Sequence, residues 1–316
     1  MKISRRKVLT QALPVLVPAG VVHVMAHASS ATVAHPANKT GLLVIGHGSP
    51  REEWNAAFRG LGDRVAEMNQ KRGSFAAVRT VLMEFAEPTI AQGLDELQSE
   101  GCNAIVAVPA FVTVGHHTLF DVPAALGNYY SYSQHSLEHL SEHGVSIPAT
   151  KVPVIYTCAL DEGDLLERFT YAEIKALSQD SEREALVLLV HGDSEQRPLL
   201  ERRLRDLMIY CCAKSGISYA DYAMIGVGQG FEHHGIPVLL KAASKRERVL
   251  VIGLHMGLSA EGIATRSARV RPNAMADLQG RDIVFSNGNL IDFPETAEHI
   301  LHIAESAVQA RQSLHR

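Results

Sequence analysis

GLLVIGHGSP at residues 41–50 and ALVLLVHGD at residues 185–193 decide the fold. Each opens with a short continuous apolar run, and each run is cut off by a histidine and a glycine. A run without polar alternation is a strand buried on both faces, as in parallel sheets whose crossover helices cover both sides. Outward from the first, Trp54, Ala57, Phe58, Leu61, Val65 and Met68 recur at helical spacing within 53–69. A second strand is expected at 78–83, a helix opening at Pro88 and ending near residue 100, and a third strand at 104–108. Outward from the second, a helix carries Leu199, Leu204 and Leu207, and strands are expected at 222–227 and 249–253. His47 and His191 lie 144 positions apart, and the third strands of the two halves start 145 apart. One nearly constant offset at two landmarks implies an internal duplication. The expected fold class is therefore α/β, with two similar lobes, each a parallel β-sheet flanked by helices. The expected division is a first lobe at 41–160, a charged connection at 161–184 and a second lobe at 185–316.

The 316 residues are 46% hydrophobic and 20% charged, which is ordinary globular chemistry and excludes disorder, collagen and coiled coil. A net charge of −4 gives no general attraction to phosphate backbones, so nucleic acid is not an expected partner. Ahead of the first strand, Arg5 and Arg6 precede a mildly apolar stretch that closes on Ala26-His27-Ala28. A basic start, a moderate apolar centre and a small-residue cut are the marks of a twin-arginine export signal. The expectation is a signal over 1–28 and a polar leader over 29–40, with the mature protein in the periplasm. Gln11, Pro14, Pro18 and His23 interrupt the apolar stretch, so stable membrane insertion is not expected after signal removal. Cys102, Cys158, Cys211 and Cys212 lack CxxC spacing, and Cys102 and Cys158 read as small buried apolar side chains. An oxidising compartment leaves one disulfide open without naming its ends, and the oligomeric state is equally open.

Sixteen histidines make imidazole chemistry the first place to look. Both first strands deliver a histidine where a parallel strand hands over to its loop, the edge at which open α/β sheets bind ligands. In the first lobe the same edge collects Glu84, in MEFAEPTI, and a histidine of the pair His116-His117, in VPAFVTVGHHTLFDVP. Spacing alone does not choose between the two. Two neutral imidazoles and a carboxylate from three successive strand ends suit a borderline divalent ion such as Fe2+, Co2+, Ni2+ or Zn2+. Each also has a structural alternative: His47 as a helix cap, Glu84 as an ion-pair partner. His135, His139 and His143 recur every four residues, which aligns them on one helix face, either as a metal-capturing row or as a solvated surface.

Strand-HGS, then EFAEPTI, then Pro109, Phe111, Gly115, His117, Asp121 and Pro123 in a P-x-F-x-x-x-G-x-H-x-x-x-D-x-P pattern resembles the class II tetrapyrrole chelatases, the sirohydrochlorin cobaltochelatase and ferrochelatase group of CbiX type. The resemblance is specific over 42–123 and weaker through the second lobe. It implies that His47 and His117 hold the metal, with Glu84 as the acidic partner, and that these three groups accept pyrrole protons as the ion enters the macrocycle. The implied metal is a substrate, Co2+ or Fe2+ with Ni2+ or Zn2+ as further candidates, and no organic cofactor is expected. The implied partner is a tetrapyrrole, with Ser49, Phe111, Gly115, His116, His191 and His255 as candidate contacts. Phe85, Phe111, Val114 and Phe120 could pack on its face or simply form core.

The second lobe keeps His191 in HGD but reads GLHMGLSAEGIATR after its third strand, with Gly262 opposite His117, so a second complete site of the first kind is not expected. His233 and His234 could line the cleft, and Arg266, Arg269 and Arg271 could meet substrate carboxylates or form a solvated basic face. Ser49 beside His47 does not form the GxSxG elbow of a serine hydrolase, and the glycines at 226–230 miss the GxGxxG spacing of a dinucleotide site. The rival from another class is a periplasmic metal or tetrapyrrole carrier that keeps the cleft without turnover.

Overall fold

A computed structural model describes residues 39–128, 134–148, 150–191, 196–225, 230–270 and 272–314. The export signal, Gly192, Asp193, the glycine-rich 226–229 and Arg271 lie outside the described residues. The first sheet takes its strands in the order β2-β1-β3-β4, from β1 (Thr40–Gly46), β2 (Ala77–Leu82), β3 (Ala104–Pro109) and β4 (Val154–Tyr156). The second repeats it as β6-β5-β7-β8, from β5 (Glu184–His191), β6 (Ala220–Ile225), β7 (Arg248–Leu254) and β8 (Asp282–Phe285). All neighbouring strands are parallel. The expected α/β pair of lobes is therefore what the chain forms, and strand β6 begins two residues before the expected 222.

Residues of β1 divide between two cores as a two-faced buried strand must. Leu42 and Val44 face one core, and Leu43 and Ile45 the other. The helices of the first half are α1 (Glu52–Arg72), α2 (Ile90–Ser99), α3 (Val122–Ala125) and α4 (Gln134–Glu142). Those of the second are α5 (Leu165–Leu177), α6 (Arg197–Ser215), α7 (Ile236–Ala243), α8 (Ala260–Val270) and α9 (Glu295–Leu314). Local chemistry sets the ends of several. Glu52 and Glu53 open α1 and Lys71 and Arg72 close it, each sign on the favourable pole of the helix dipole. In α2 the Thr89 hydroxyl accepts from the Gln92 amide while the Gln92 side chain accepts from the Thr89 amide, a reciprocal cap.

The outer face of each sheet is covered locally, by α2 to α4 on the first and by α7 and α8 on the second. Between the sheets lies one continuous core shared by both. Here the chain crosses over: α5, which follows β4, packs on β7, and α9, which follows β8, packs on β3 and α1. The connection expected at 161–184 is thus mostly a helix, with Leu165, Leu166, Phe169 and Ile174 buried in the shared core. Arg72 of α1 reaches Glu298 and Glu305, and Arg168 of α5 reaches Glu295, tying α9 to both helices. All four cysteines are free; Cys158, expected inside, is exposed because it lies in the loop after the short edge strand β4.

Candidate metal centre

The carboxyl ends of β1, β2 and β3 bring His47, Glu84 and His117 together. Gly48 makes the first junction. Its φ of 91° is a backbone state that side chains disfavour, and a Cβ there would sit 1.8 Å from the Glu84 carbonyl oxygen. The HGS turn can therefore lie flat on the strand end that carries Glu84, and the Glu84 amide donates to the His47 carbonyl at 3.0 Å. The third junction is a π turn over His117–Asp121, preceded by Gly115, whose amide donates to the Thr118 hydroxyl at 2.8 Å. Tyr156 of β4 pins the turn by donating to the Thr118 carbonyl at 2.7 Å.

The hydrogen bonds on the outer side of each histidine assign its tautomer. His47 Nδ1 lies 2.8 Å from the Gly48 carbonyl oxygen. A carbonyl only accepts, so the proton is on Nδ1 and Nε2 keeps its lone pair. His117 Nδ1 lies 2.7 Å from Asp121 Oδ2, an acceptor that places a proton on Nδ1 and turns Nε2 inward. Burial raises the Asp121 carboxyl, but hydrogen bonds from His117 and Ser136 and the nearby His117 and His116 hold it below the ordinary value, so it is the ionised acceptor. The two Nε2 atoms face each other at 3.2 Å, and Glu84 Oε1 lies 3.3 Å from His47 Nε2. With each Nδ1 held by an outer acceptor, the inward set of two imidazole nitrogens and a carboxylate is one that a cation would complete. Two nitrogens bound to one ion at about 2.1 Å, with about 100° between them, stand about 3.2 Å apart, which fits the pair as found.

Burial, and then the neighbouring His117, lower the His47 pKa to about 4, so its lone pair is retained across the neutral range. Burial raises the Glu84 carboxyl, partly offset by His143 and His117, which makes it a better proton acceptor than an exposed glutamate. Phe85 stands against His47 with ring centroids 6.3 Å apart, is 49% exposed, and holds a φ of 66°. A non-glycine residue in that region carries strain of about 1–3 kcal/mol, as residues at ligand clamps do. Phe111 closes the other side at 6.2 Å from His47 and 6.0 Å from His117.

The remaining candidates divide. His116 is not at the convergence point; its Nε2 is 3.3 Å from the Ser136 hydroxyl and 3.5 Å from Asp121 Oδ1, which answers the choice between the paired histidines in favour of His117. Ser49 accepts from the Arg51 amide at 3.1 Å at the mouth of α1. Val114 is tied through its amide to Asp161, and Phe120 lies tilted against His116 with ring centroids 5.0 Å apart. His191 is exposed at the end of β5, near enough for its charge to lower the His47 pKa. His255 is buried beside it at 6.2 Å. His233 and His234 are exposed on the turn Phe231–Gly235, Arg266 is half-buried, and Arg269 is exposed. Sequence reasoning underrated two features. Asp121 is a member of the motif whose work is to orient His117, and α4 folds back so that His139 and His143 join the centre. His139 Nε2 and His143 Nδ1 lie 3.5 and 3.7 Å from Glu84 Oε2, whereas His135 stands apart against His116, at 5.4 Å.

Residues 41–176 match the CbiX family model. The chain is 37% identical over 86 residues to a sirohydrochlorin cobaltochelatase of Methanococcus aeolicus, covering 27% of this chain and 57% of that protein. It is 27% identical over 140 residues to one of Methanosarcina barkeri, covering 43% of this chain and 95% of that protein. The first relative is thus spanned over little more than half its length. Among solved structures, SirB from Bacillus subtilis with Fe3+ superposes with a TM-score of 0.62 at 15% identity, over 87% of this chain and 98% of that one. At that identity the likeness concerns the fold.

Proposed function

We propose that the chain, whose residues 41–176 match the CbiX family model, is a class II chelatase of that type and inserts a divalent ion into a sirohydrochlorin-like tetrapyrrole. The observation that carries this reading is the approach of His47 Nε2 and His117 Nε2 to 3.2 Å beside Glu84, with each ring's Nδ1 held by an outer acceptor. Relatives named as sirohydrochlorin cobaltochelatases support a tetrapyrrole substrate and Co2+. Fe2+ suits the same donors, and Ni2+ or Zn2+ would also bind them. Insertion takes a free ion and a macrocycle carrying two pyrrole N–H groups to a metallated macrocycle and two protons. His47 and His117 hold the incoming ion by exchangeable bonds. Phe85 and Phe111 offer apolar faces on which the macrocycle lies over the ion. Glu84, with its raised pKa, takes the protons as the nitrogens turn from N–H to metal ligands.

The decisive experiment mixes the mature protein with sirohydrochlorin and Co2+ or Fe2+ without oxygen and follows the absorption change. Many metallated products per chain are expected, falling to the uncatalysed rate in His47→Ala and His117→Ala. A fixed stoichiometry of bound metal or macrocycle without acceleration would instead make the protein a carrier.

The same reading takes the mature protein to the periplasm through Arg5 and Arg6. Replacing both by Lys should leave the full-length chain in the cytoplasmic fraction; export of that variant would remove the twin-arginine assignment.

A further inference from the structure

Glu84 is only 5% exposed, yet its two oxygens face different partners. Oε1 serves the pair described above, 3.3 Å from His47 Nε2. Oε2 points the other way, buried and without a hydrogen-bond partner, as is the nearby His139 Nε2. A buried carboxylate oxygen left this way is costly, because it has given up water for nothing. Around it stand His139 Nε2 at 3.5 Å and His143 Nδ1 at 3.7 Å. Glu84, His139 and His143 each place a ligand atom within 4.8 Å of the other two. Two histidines four apart at the end of a helix are a ready chelating pair, since one turn sets both rings on the same side. Their rings stand 4.4 Å apart; without an ion His143 Nδ1 donates to the His139 carbonyl at 2.9 Å, so binding an ion through that nitrogen requires its proton to pass to Nε2, which frees the Nδ1 lone pair.

We propose that Glu84, His139 and His143 form a second divalent-cation position, with Glu84 bridging it to the position between His47 and His117. The inference rests on the reading of that first position as the one from which the ion enters the macrocycle. A hard or borderline divalent ion fits the donor set, one carboxylate oxygen with two imidazoles. His139 also approaches His117, with ring centroids 5.8 Å apart, so the two positions are neighbours. An ion waiting on His139 and His143 is then one carboxylate away from the first position, and can refill it after each product leaves without being drawn again from dilute solution. Charge favours this arrangement: Glu84 and Asp121 are both buried, and the groups paired with them are histidines.

The test counts Co2+ bound per chain by the mature protein after chelator treatment and dialysis, using calorimetry together with the visible spectrum of bound Co2+. Two equivalents are expected for the unaltered protein. One should remain in His139→Asn/His143→Asn, and one in His47→Asn/His117→Asn, with different visible spectra for the two variants. Binding of one equivalent to the unaltered protein, lost in His47→Asn/His117→Asn, overturns the second position and leaves the first standing. Two equivalents in both double variants overturn both assignments. Far-UV circular dichroism and thermal unfolding of each metal-free variant exclude misfolding as the cause of lost binding. Electron paramagnetic resonance of the unaltered protein tests the bridge without substitution. The signal of the first Co2+ should broaden or weaken as the second equivalent enters; simple doubling of an unchanged signal would overturn the bridged geometry.

Discussion

At the scale of single residues, the proposed centre depends on groups outside its set of ligands. Asp121 is fully buried and accepts from His117 Nδ1 at 2.7 Å, which turns toward the centre the Nε2 that we propose binds metal. Asp121→Asn retains the shape but offers an amide that can present its NH2 to Nδ1, freeing the imidazole to take the opposite tautomer. Loss of such an outer partner typically weakens metal binding about 10- to 100-fold. We expect that loss in a Co2+ titration of Asp121→Asn, with thermal stability largely retained. A second prediction concerns His255, whose pKa burial, and then His191, lower to about 3. Below about pH 6.5 the unfolded chain binds a proton there that the folded chain refuses, so stability falls as the solution is acidified toward pH 3. The slope from this one group is at most about 1.4 kcal/mol per pH unit. His255→Gln should flatten the acid limb of the denaturation midpoint against pH; an unchanged limb would show that His255 is not the group being titrated. His47 and Glu84 were legible in the sequence because a strand end followed by glycine or by EFAEPTI fixes where a side chain must emerge, whereas His117 was told from His116 only by the resemblance to the chelatases. The work of Asp121 was not legible, because its place in a motif does not say which ring nitrogen it meets.

At the scale of elements, turns do the positioning. The HGS turn works because Gly48 has no Cβ where the Glu84 carbonyl oxygen lies. Gly48→Ala would add the strain of a left-handed residue, about 1–2 kcal/mol, and would push the two strand ends apart. The expected outcome is a folded protein of lower melting temperature that binds Co2+ more weakly, read by differential scanning calorimetry and the Co2+ titration. If Gly48→Ala binds Co2+ like the unaltered protein, the His47 to Glu84 geometry does not depend on this turn. The His135, His139 and His143 row shows the limit of periodicity. Spacing by four puts three side chains on one face but does not say what that face meets. In the structure α4 sets His139 and His143 on Glu84 and leaves His135 against His116, so one row has two fates.

At the scale of the whole molecule, the duplication seen in the sequence is real in its sheets and altered in its helices. The inner covers are crossed, since α5, which follows β4 of the first sheet, packs on β7 of the second, and α9, which follows β8 of the second, packs on β3 and α1 of the first. Two lobes built this way should unfold together. Leu301 of α9 is fully buried in the shared core, so Leu301→Ala should cost about 2–5 kcal/mol. Hydrogen exchange should then show lost protection in β3 as well as in β7; loss confined to the second sheet would mean that the halves are independent. The strand-helix alternation, the repeat, the parallel sheets and, at the first sheet's edge, His47, Glu84 and one histidine of the pair His116-His117 follow from the sequence. Those features are written locally, in apolar runs, periodicity and the residues that end each strand. Only the tertiary structure decided which helix covers which sheet, that His117 rather than His116 turns inward, and that α4 adds two histidines to Glu84. Those outcomes depend on contacts between segments far apart in the chain, where packing and the satisfaction of buried polar groups choose among arrangements that local pattern leaves equal.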